Sequence, residues 1–280
     1  MKGIRIMNIS IISPHINGNG NTTVAALLAF ELASRNKSVC LTHVTSKSDS
    51  MFPYLGFEET DDQTNNPLQL INLIREGGLR RDDIGNYCRE VTEKLDLFSL
   101  DTFITKNGKE TNVNQEQMQT VLSFICREFP HDYVVFDIDE NDLEKENVKL
   151  VLAHTDCLIF VLTQSVTELK RFTAQKTKIQ KHTANIPNLV VVNKYCDIIG
   201  NLKDTAGILG IKRPNKWYQL RFNQWIPYCA NRGQFKYLAE QIQKRNADVI
   251  ELDSDIKHLV SGIQSIKQAT REEKRRVRSY

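Results

Sequence analysis

The chain has 280 residues, of which 40% are hydrophobic, and this is enough to bury one sizeable core. Its 37 basic and 34 acidic residues leave a formal net charge of +3, too balanced to indicate a nucleic-acid-binding protein from charge alone. There is no recognisable signal peptide, and no apolar run approaches the roughly 20 residues that span a bilayer. The six cysteines are widely spaced without a C-x-x-C pair, which predicts reduced core thiols, a cytoplasmic protein and no zinc site.

Short apolar runs alternate with longer amphipathic stretches, which is typical of strands joined by crossover helices. We predict strands over residues 4–12, 38–44, 95–99, 133–137, 157–163 and 189–193, with a last strand between 218 and 227. Predicted helices cover residues 22–33, 114–129, 166–183 and 231–244, and the polar residues 46–65 predict a long surface loop. The predicted fold class is therefore α/β, a doubly wound and mostly parallel sheet flanked by helices, as in P-loop NTPases.

The last part of the chain, residues 253–280, predicts one further helix. Its apolar positions give way to charge toward the end of the chain; they are Ile256, Leu259, Val260, Ile263 and Ile266. We divide the chain into a P-loop domain over residues 1–250 and a C-terminal helix with a basic tail over residues 251–280. The tail carries Arg271, Lys274, Arg275, Arg276 and Arg278, and has too few apolar residues for a membrane-inserting amphipathic helix.

Residues 11–23, IISPHINGNGNTT, have the layout of a phosphate-binding loop. A buried strand is predicted before the loop, Gly18 and Gly20 predict a turn, and helical periodicity begins at Thr22. In such a loop the backbone N–H groups and the positive end of the helix hold a phosphate, while a threonine hydroxyl reaches Mg²⁺. Asn21 stands where a lysine usually contacts the phosphates. The alternative is an ordinary Asn- and Gly-rich turn between a strand and a helix.

An acidic residue at the end of a predicted strand completes the candidate metal site. Asp137 ends the run HDYVVFD, and we pair it with Thr22 as a ligand of Mg²⁺ or of its bound water. The alternatives are that Asp139 holds the metal instead, or that Asp137 is a capping or solvated residue.

Taken together, these segments resemble the ParA/MinD family, the deviant Walker A (SIMIBI) P-loop ATPases, over about residues 4–242. The family loop reads K-G-G-x-G-K-[ST]-[ST], which places Ile16 on its signature lysine and Asn21 on its catalytic lysine. VVVNK resembles the strand whose asparagine reads adenine, and IPY resembles the segment near the base. The resemblance implies ATP and Mg²⁺. The implied metal contacts are Thr22 and Asp137, and the implied nucleotide contacts are Asn17, Gly18, Asn19, Gly20, Asn21, Thr22, Thr23, Asn193, Lys194, Pro227 and Tyr228.

The chain departs from the family pattern at its charged positions. The family's D-x-D after the second strand becomes His43 and Thr45, and neither Asn21 nor Ile16 supplies a positive charge. Losing such a positioned charge can slow phosphoryl transfer by roughly 10³- to 10⁵-fold, whereas a backbone cradle survives side-chain changes. We therefore predict a degenerate member that binds nucleotide and is at most a weak ATPase. We assign His43 no role, because nothing sits at metal-ligand spacing from it.

Altered loops also occur in the TadZ/CpaE group of pilus and secretion localisers, which the segment SPHINGNGNTTVAA resembles. That resemblance implies a homodimeric scaffold that positions a secretion, pilus or conjugation machine, acting from the cytoplasm at the inner face of the membrane.

Three other readings stay open. The chain could be a working partition ATPase that carries plasmid or mobile-element DNA on the basic residues of one helix, namely Lys170, Arg171, Lys176, Lys178 and Lys181. It could be an interaction module whose nucleotide pocket is empty. Asn193 and Lys194 followed by Asp197 also suggest the guanine signature N-K-x-D, but this chain has one residue too many.

Overall fold

A mostly parallel β-sheet forms the centre of the structure, a computed structural model that describes residues 6–13, 18–44, 51–57, 67–100, 105–106, 109–110, 113–138 and 143–277. In chain order the strands are β1 (Met7–Ile12), β2 (Val39–Val44), β3 (Arg89–Thr92), β4 (Leu95–Phe98), β5 (Thr105–Lys106), β6 (Lys109–Glu110), β7 (Tyr133–Ile138), β8 (Cys157–Leu162), β9 (Asn188–Tyr195) and β10 (Trp217–Arg221).

Eight of these described strands form the main sheet in the order β10-β9-β8-β1-β7-β2-β4-β3. All neighbouring pairs are parallel except β3, which runs antiparallel to β4 at one edge. Strands β5 and β6 form a separate antiparallel pair. The order reverses around β1, so the loop that follows β1 lies at the topological switch point, where such folds bind ligands. This arrangement confirms the predicted doubly wound α/β class.

Helices cover both faces of the sheet. They are α1 (Asn21–Ser34), α2 (Met51–Leu55), α3 (Pro67–Arg75), α4 (Gln115–Glu128), α5 (Glu146–Ala153), α6 (Val166–Thr183), α7 (Leu202–Ile208), α8 (Trp225–Ala230), α9 (Phe235–Gln243) and α10 (Ile250–Val277), with 3₁₀ turns at Arg81–Tyr87 and Ala247–Val249. None of the described helices combines the length and apolar character that crossing a membrane requires.

Two large apolar clusters lie on opposite faces of the sheet, and a third, smaller cluster includes residues of β8, β9, β10, α6 and α7. Val135 belongs to the cluster that includes α1, α9 and α10, whereas Val134 and Phe136 belong to the cluster that includes α3, α4 and α5. Alternate residues of a strand point to opposite faces, so β7 contributes to both clusters. The central strands β1, β2, β7 and β8 are buried along their whole length, which explains why their sequences are mostly apolar.

The prediction of a strand between residues 218 and 227 was wrong in its second half. Strand β10 ends at Arg221, and Trp225–Ala230 is a helix. The Asn223 side chain accepts a hydrogen bond from the Trp225 N–H at 2.9 Å, which favours a helical start. Pro227 lacks an N–H donor, so it is tolerated in the first turn of a helix but not in the ladder of an inner strand.

The predicted surface loop over residues 46–65 was also partly wrong. Helix α2 interrupts it, and the side chains of Met51, Phe52 and Leu55 are buried. Residues 46–50 and 58–65 lie outside the described residues. The helix predicted over 231–244 begins only at Phe235, because a turn with Gly233 at a φ of 62° precedes it.

The six cysteines all carry free thiols, as predicted, but they are not all core residues. Cys40, Cys126, Cys157 and Cys229 are buried, while Cys88 and Cys196 are partly exposed. Burial raises the pKa of the Cys126 and Cys157 thiols to about 12, so these two groups are protonated and unreactive near neutral pH.

The C-terminal helix α10 packs on the same core as α1. All five apolar positions singled out in the sequence are buried, and α10 contacts α1, α9 and β10. The helix begins at Ile250 and continues to Val277. The side chains of the basic tail residues Arg271, Lys274, Arg275 and Arg276, and the whole of Arg278, lie outside the described residues.

We expect the Ile263→Ala variant to lower the free energy of unfolding by about 2–5 kcal/mol, because it leaves a cavity where a fully buried side chain packs. Urea denaturation followed by circular dichroism measures this loss. Gln268→Ala, at an exposed position of the same helix, is the control and should change stability by less than about 0.5 kcal/mol. Equal stability of the two variants would contradict the packing of α10 on the core.

Candidate functional site

A cavity of about 520 Å³ opens at the carboxyl ends of β1, β9 and β10. Residues 18–23 form one wall, Asn193 and Lys194 form a second, and residues 221–223 with part of α8 form a third. The volume lies within the range of small-molecule and cofactor sites. Of the predicted nucleotide contacts, Gly18 to Thr23, Asn193, Lys194 and Pro227 line this cavity, whereas Asn17 lies outside the described residues.

The loop before α1 depends on glycine. Gly18 and Gly20 have φ angles of 96° and 83°, which side chains rarely adopt. A Cβ atom at Gly20 would also collide with the Asn193 amide. Gly20 is the N-cap of α1 and has no side chain to cap it, so the first N–H groups of the helix receive no cap hydrogen bond. These N–H groups and the helix dipole favour an anion at this point.

Side chains from β9 hold the loop in place. The Asn193 Nδ2 donates to the Asn19 carbonyl oxygen at 2.6 Å, and the Lys194 ammonium donates to the Gly18 carbonyl oxygen at 2.5 Å. Asn19 is itself buried, and its amide donates to the Ser13 hydroxyl. Contacts within the chain therefore hold the described part of the predicted phosphate-binding loop, residues 18–20, in place.

The predicted metal pair is in contact. The Thr22 hydroxyl donates to Asp137 Oδ2 at 2.7 Å, and Asp137 is fully buried at the end of β7. A hydroxyl and a carboxylate are oxygen ligands of the kind that Mg²⁺ takes, so these residues fit the ion. Among the described residues there is no group of three or more His, Cys, Asp or Glu side chains that could hold a metal. The remaining ligands would come from nucleotide phosphates and water.

His43 lies next to this pair, although the sequence suggested no role for it. The parallel pairing of β2 with β7 sets His43 directly beside Asp137, and its Nε2 is 3.8 Å from Asp137 Oδ2. Both side chains are buried. The His43 imidazole therefore lies beside the candidate metal-binding pair of Thr22 and Asp137. Thr45, the second altered acidic position, lies outside the described residues.

Position 21, where the family pattern has a lysine, carries an uncharged asparagine. The Asn21 Nδ2 makes a long contact of 3.4 Å with the Ile138 carbonyl oxygen, and its buried Oδ1 has no hydrogen-bond partner within the described structure. Two cations line the cavity elsewhere, Lys194 and Arg221. The Arg221 guanidinium is held by Asp255 at 2.7 Å, and burial raises the pKa of Asp255 while Arg221 lowers it in part. None of the described loop residues 18–23 carries a positive charge, although the Lys194 ammonium contacts Gly18; Ile16 lies outside the described residues.

Tyr54 of α2 lines the cavity and was not found from the sequence. Its hydroxyl is hydrogen-bonded to the Thr23 hydroxyl at 2.6 Å, and its ring packs on Phe235 with centroids 4.5 Å apart. No pattern in the polar segment around it signals this position, because the contact depends on the packing of α2 against α9.

Tyr228 does not line the cavity, although we predicted that it contacts the nucleotide. Its ring packs against Trp225 at 5.4 Å and beneath the Arg232 guanidinium at 4.0 Å, and 45% of the residue is exposed. Pro227 and Tyr228 are consecutive residues of helix α8, so their side chains point in different directions. Pro227 therefore faces the cavity, whereas Tyr228 lies outside it.

The guanine interpretation receives no support from the geometry. Burial raises the pKa of the Tyr195 hydroxyl, and its hydrogen bond to the Asp197 carboxylate raises it further. Asp197 does not line the cavity, and Tyr195 and Cys196 separate it from the Asn193-Lys194 pair in the chain.

The basic residues of α6 are exposed, but some of their charge is neutralised. Lys181 pairs with Glu144 at 2.9 Å, and Arg171 lies 3.7 Å from Glu168. Lys170, Lys176 and Lys178 are also exposed on this helix. Helix α6 therefore presents both basic and acidic side chains, with an excess of positive charge.

Comparison with known proteins identifies the fold. No protein-family model matches the chain, and no curated protein matches it significantly. Among solved structures, a ParA family ATPase from Chlorobium tepidum TLS matches with a TM-score of 0.65 at 16% identity, covering 93% of this chain and 99% of that one. The MinD cell division protein of Aquifex aeolicus matches with a TM-score of 0.62 at 15% identity, covering 91% and 97%.

A third match, a putative plasmid partition protein from Borrelia burgdorferi B31 bound to AMPPNP, has a TM-score of 0.59 at 18% identity and covers 89% of this chain and 98% of that one. At identities this low, the similarity concerns the fold. The chain has the fold of the ParA and MinD ATPases.

Proposed function

We propose that this protein is a nucleotide-binding spatial localiser that hydrolyses ATP slowly or not at all. The observation that supports the proposal is a glycine loop held by Asn193 beside the Thr22–Asp137 contact, with uncharged Asn21 where the family pattern has a lysine. Binding depends on backbone N–H groups, which remain, whereas hydrolysis depends on positioned charge, which Asn21 does not supply.

In this proposal, different groups of the chain bind the phosphates, the Mg²⁺ ion and the adenine base. The N–H groups of the loop and of the first turn of α1 bind the phosphates, and Thr22 with Asp137 holds the ion, which neutralises phosphate charge when bound. Asn193 donates to the loop through its Nδ2, so its Oδ1 stays an acceptor that suits the amino group of adenine. The Borrelia burgdorferi structure holds AMPPNP, which supports an adenine nucleotide here.

The cellular role that we infer is positional. Proteins of this fold include MinD, which has been solved in a MinC:MinD complex, and plasmid partition proteins. We propose that a homodimer of this chain places a secretion, pilus or conjugation machine, in the manner of the TadZ/CpaE group. Light scattering with and without ATP tests the dimer.

A thermal melt with Mg²⁺ and ATP, ADP, GTP or no nucleotide tests the proposal. ATP at about 100 times its dissociation constant should stabilise the protein by about 2.7 kcal/mol and raise Tm, while GTP should have a smaller effect. If no nucleotide changed Tm, the protein would instead be an interaction module with an empty pocket.

A partition ATPase that carries DNA is the second candidate, favoured by the two plasmid partition proteins among the structural matches. It requires ATP-dependent binding to arbitrary duplex DNA that weakens steeply with salt. Because Lys181 and Arg171 already have acidic neighbours, we expect weak DNA binding even at low salt. A fluorescence anisotropy titration at two salt concentrations decides between the two candidates.

A further inference from the structure

Helix α2 brings a tyrosine hydroxyl to the start of α1. Met51, Phe52 and Leu55 anchor α2 in the core, and the backbone at Gly56 packs closely against Gly233 between α8 and α9. The Tyr54 ring is fixed against Phe235. Its hydroxyl is therefore held at the cavity wall by the fold of the chain, before any ligand binds.

This hydroxyl forms a pair with Thr23 in the first turn of α1. The two oxygen atoms lie 2.6 Å apart and share one hydrogen bond, yet together they carry two hydrogen atoms. Neither hydroxyl has another hydrogen-bond partner among the described residues. One O–H hydrogen of the pair is therefore left to donate, and both residues border the cavity.

The electrostatic setting keeps Tyr54 neutral and able to donate. Burial raises the pKa of its hydroxyl well above the usual value, the Thr23 hydrogen bond lowers it in part, and the Asp137 charge raises it. At physiological pH the group keeps its proton. An acceptor placed at the N-terminus of α1 is favoured when it is anionic, because of the helix dipole and the uncapped N–H groups.

We propose that Tyr54 and Thr23 form a neutral donor pair that binds a phosphate oxygen of the nucleotide. The proposal rests on the proposed function, because it assigns a second phosphate contact to the same cavity. It gives the chain one further O–H donor near a loop that carries Asn21 at the lysine position, and it adds Tyr54, which no sequence pattern indicated, to the predicted contact Thr23.

The Tyr54→Phe variant tests the pair, because it keeps the ring on Phe235 and removes only the hydroxyl. We expect calorimetric titration to show ATP and ADP binding weakened roughly 5- to 10-fold, with adenosine binding unchanged. Tyr237→Phe is the matched control, since Tyr237 is 46% exposed and does not line the cavity, and it should bind all three ligands as the unaltered protein does.

Thr23→Val removes the other hydroxyl and serves as an independent variant. If the two residues act as a pair, the double variant should lose less affinity than the product of the two single losses. Unchanged ATP affinity in Tyr54→Phe would overturn the pair while the proposed function stands, and so would an equal loss for adenosine. Failure of the unaltered protein to bind ATP at all would overturn both.

Discussion

The Gly20→Val variant is expected to lose the ATP-induced rise in Tm that the unaltered protein shows. Gly20 has a φ of 83°, and any Cβ there would collide with the Asn193 amide, which in turn holds the Asn19 carbonyl. The substitution therefore distorts the loop that we propose binds the phosphates. The lost effect corresponds to about 2.7 kcal/mol at ATP concentrations near 100 times the dissociation constant.

Backbone strain alone would also lower Tm, so the control must carry the same strain elsewhere. Gly210, after α7, has a φ of 72°, and a Cβ there would meet nothing within 4 Å. Both variants should lose stability of order 1–3 kcal/mol without nucleotide because of their positive φ. Only Gly210→Val should keep the ATP-induced rise in Tm. An ATP response in Gly20→Val equal to that of the control would show that nucleotide binds elsewhere.

Restoring the lysine at position 21 is expected to tighten ATP binding roughly 10- to 100-fold. A charge-assisted hydrogen bond to phosphate contributes about 1.5–3 kcal/mol, and the Asn21 side chain makes only a 3.4 Å contact that a lysine would give up. Competition titration of Asn21→Lys against the unaltered protein measures the gain. Turnover should rise much less than affinity, because catalytic groups act as a unit and Ile16 supplies no charge.

Asn21→Met is the control for side-chain length without charge, and it should bind ATP no more tightly than the unaltered protein does. If Asn21→Lys and Asn21→Met bound ATP equally well, position 21 would not face the phosphates. Asn21 would then not correspond to the catalytic lysine of the family loop. Slow hydrolysis could then not be attributed to this residue.

Local signals in the sequence were sufficient to predict β1, the glycine-containing loop that follows it, and helix α1. A strand buried on both faces is mostly apolar, and the turn required residues that tolerate positive φ, which Gly18 and Gly20 supply. The candidate metal pair was also predictable, since Thr22 and Asp137 each follow a recognisable strand or loop, and the structure joins them.

Contacts that depend on tertiary packing could not be predicted. His43 reaches Asp137 only because β2 pairs with β7, and Tyr54 reaches Thr23 only because α2 packs on α9. The helix at Trp225–Ala230 was mistaken for the end of a strand because a short apolar run does not distinguish the two. In each case the missing information was the identity of a neighbour distant in the chain.

We propose above all that this cavity binds ATP and leaves it largely uncleaved. The direct test is to saturate the purified protein with Mg²⁺ and radiolabelled ATP, separate bound from free nucleotide, and measure the bound ATP and ADP over an hour. We predict stoichiometric binding with most of the bound label still present as ATP. Absence of bound nucleotide, or its conversion to ADP within seconds, would contradict the claim.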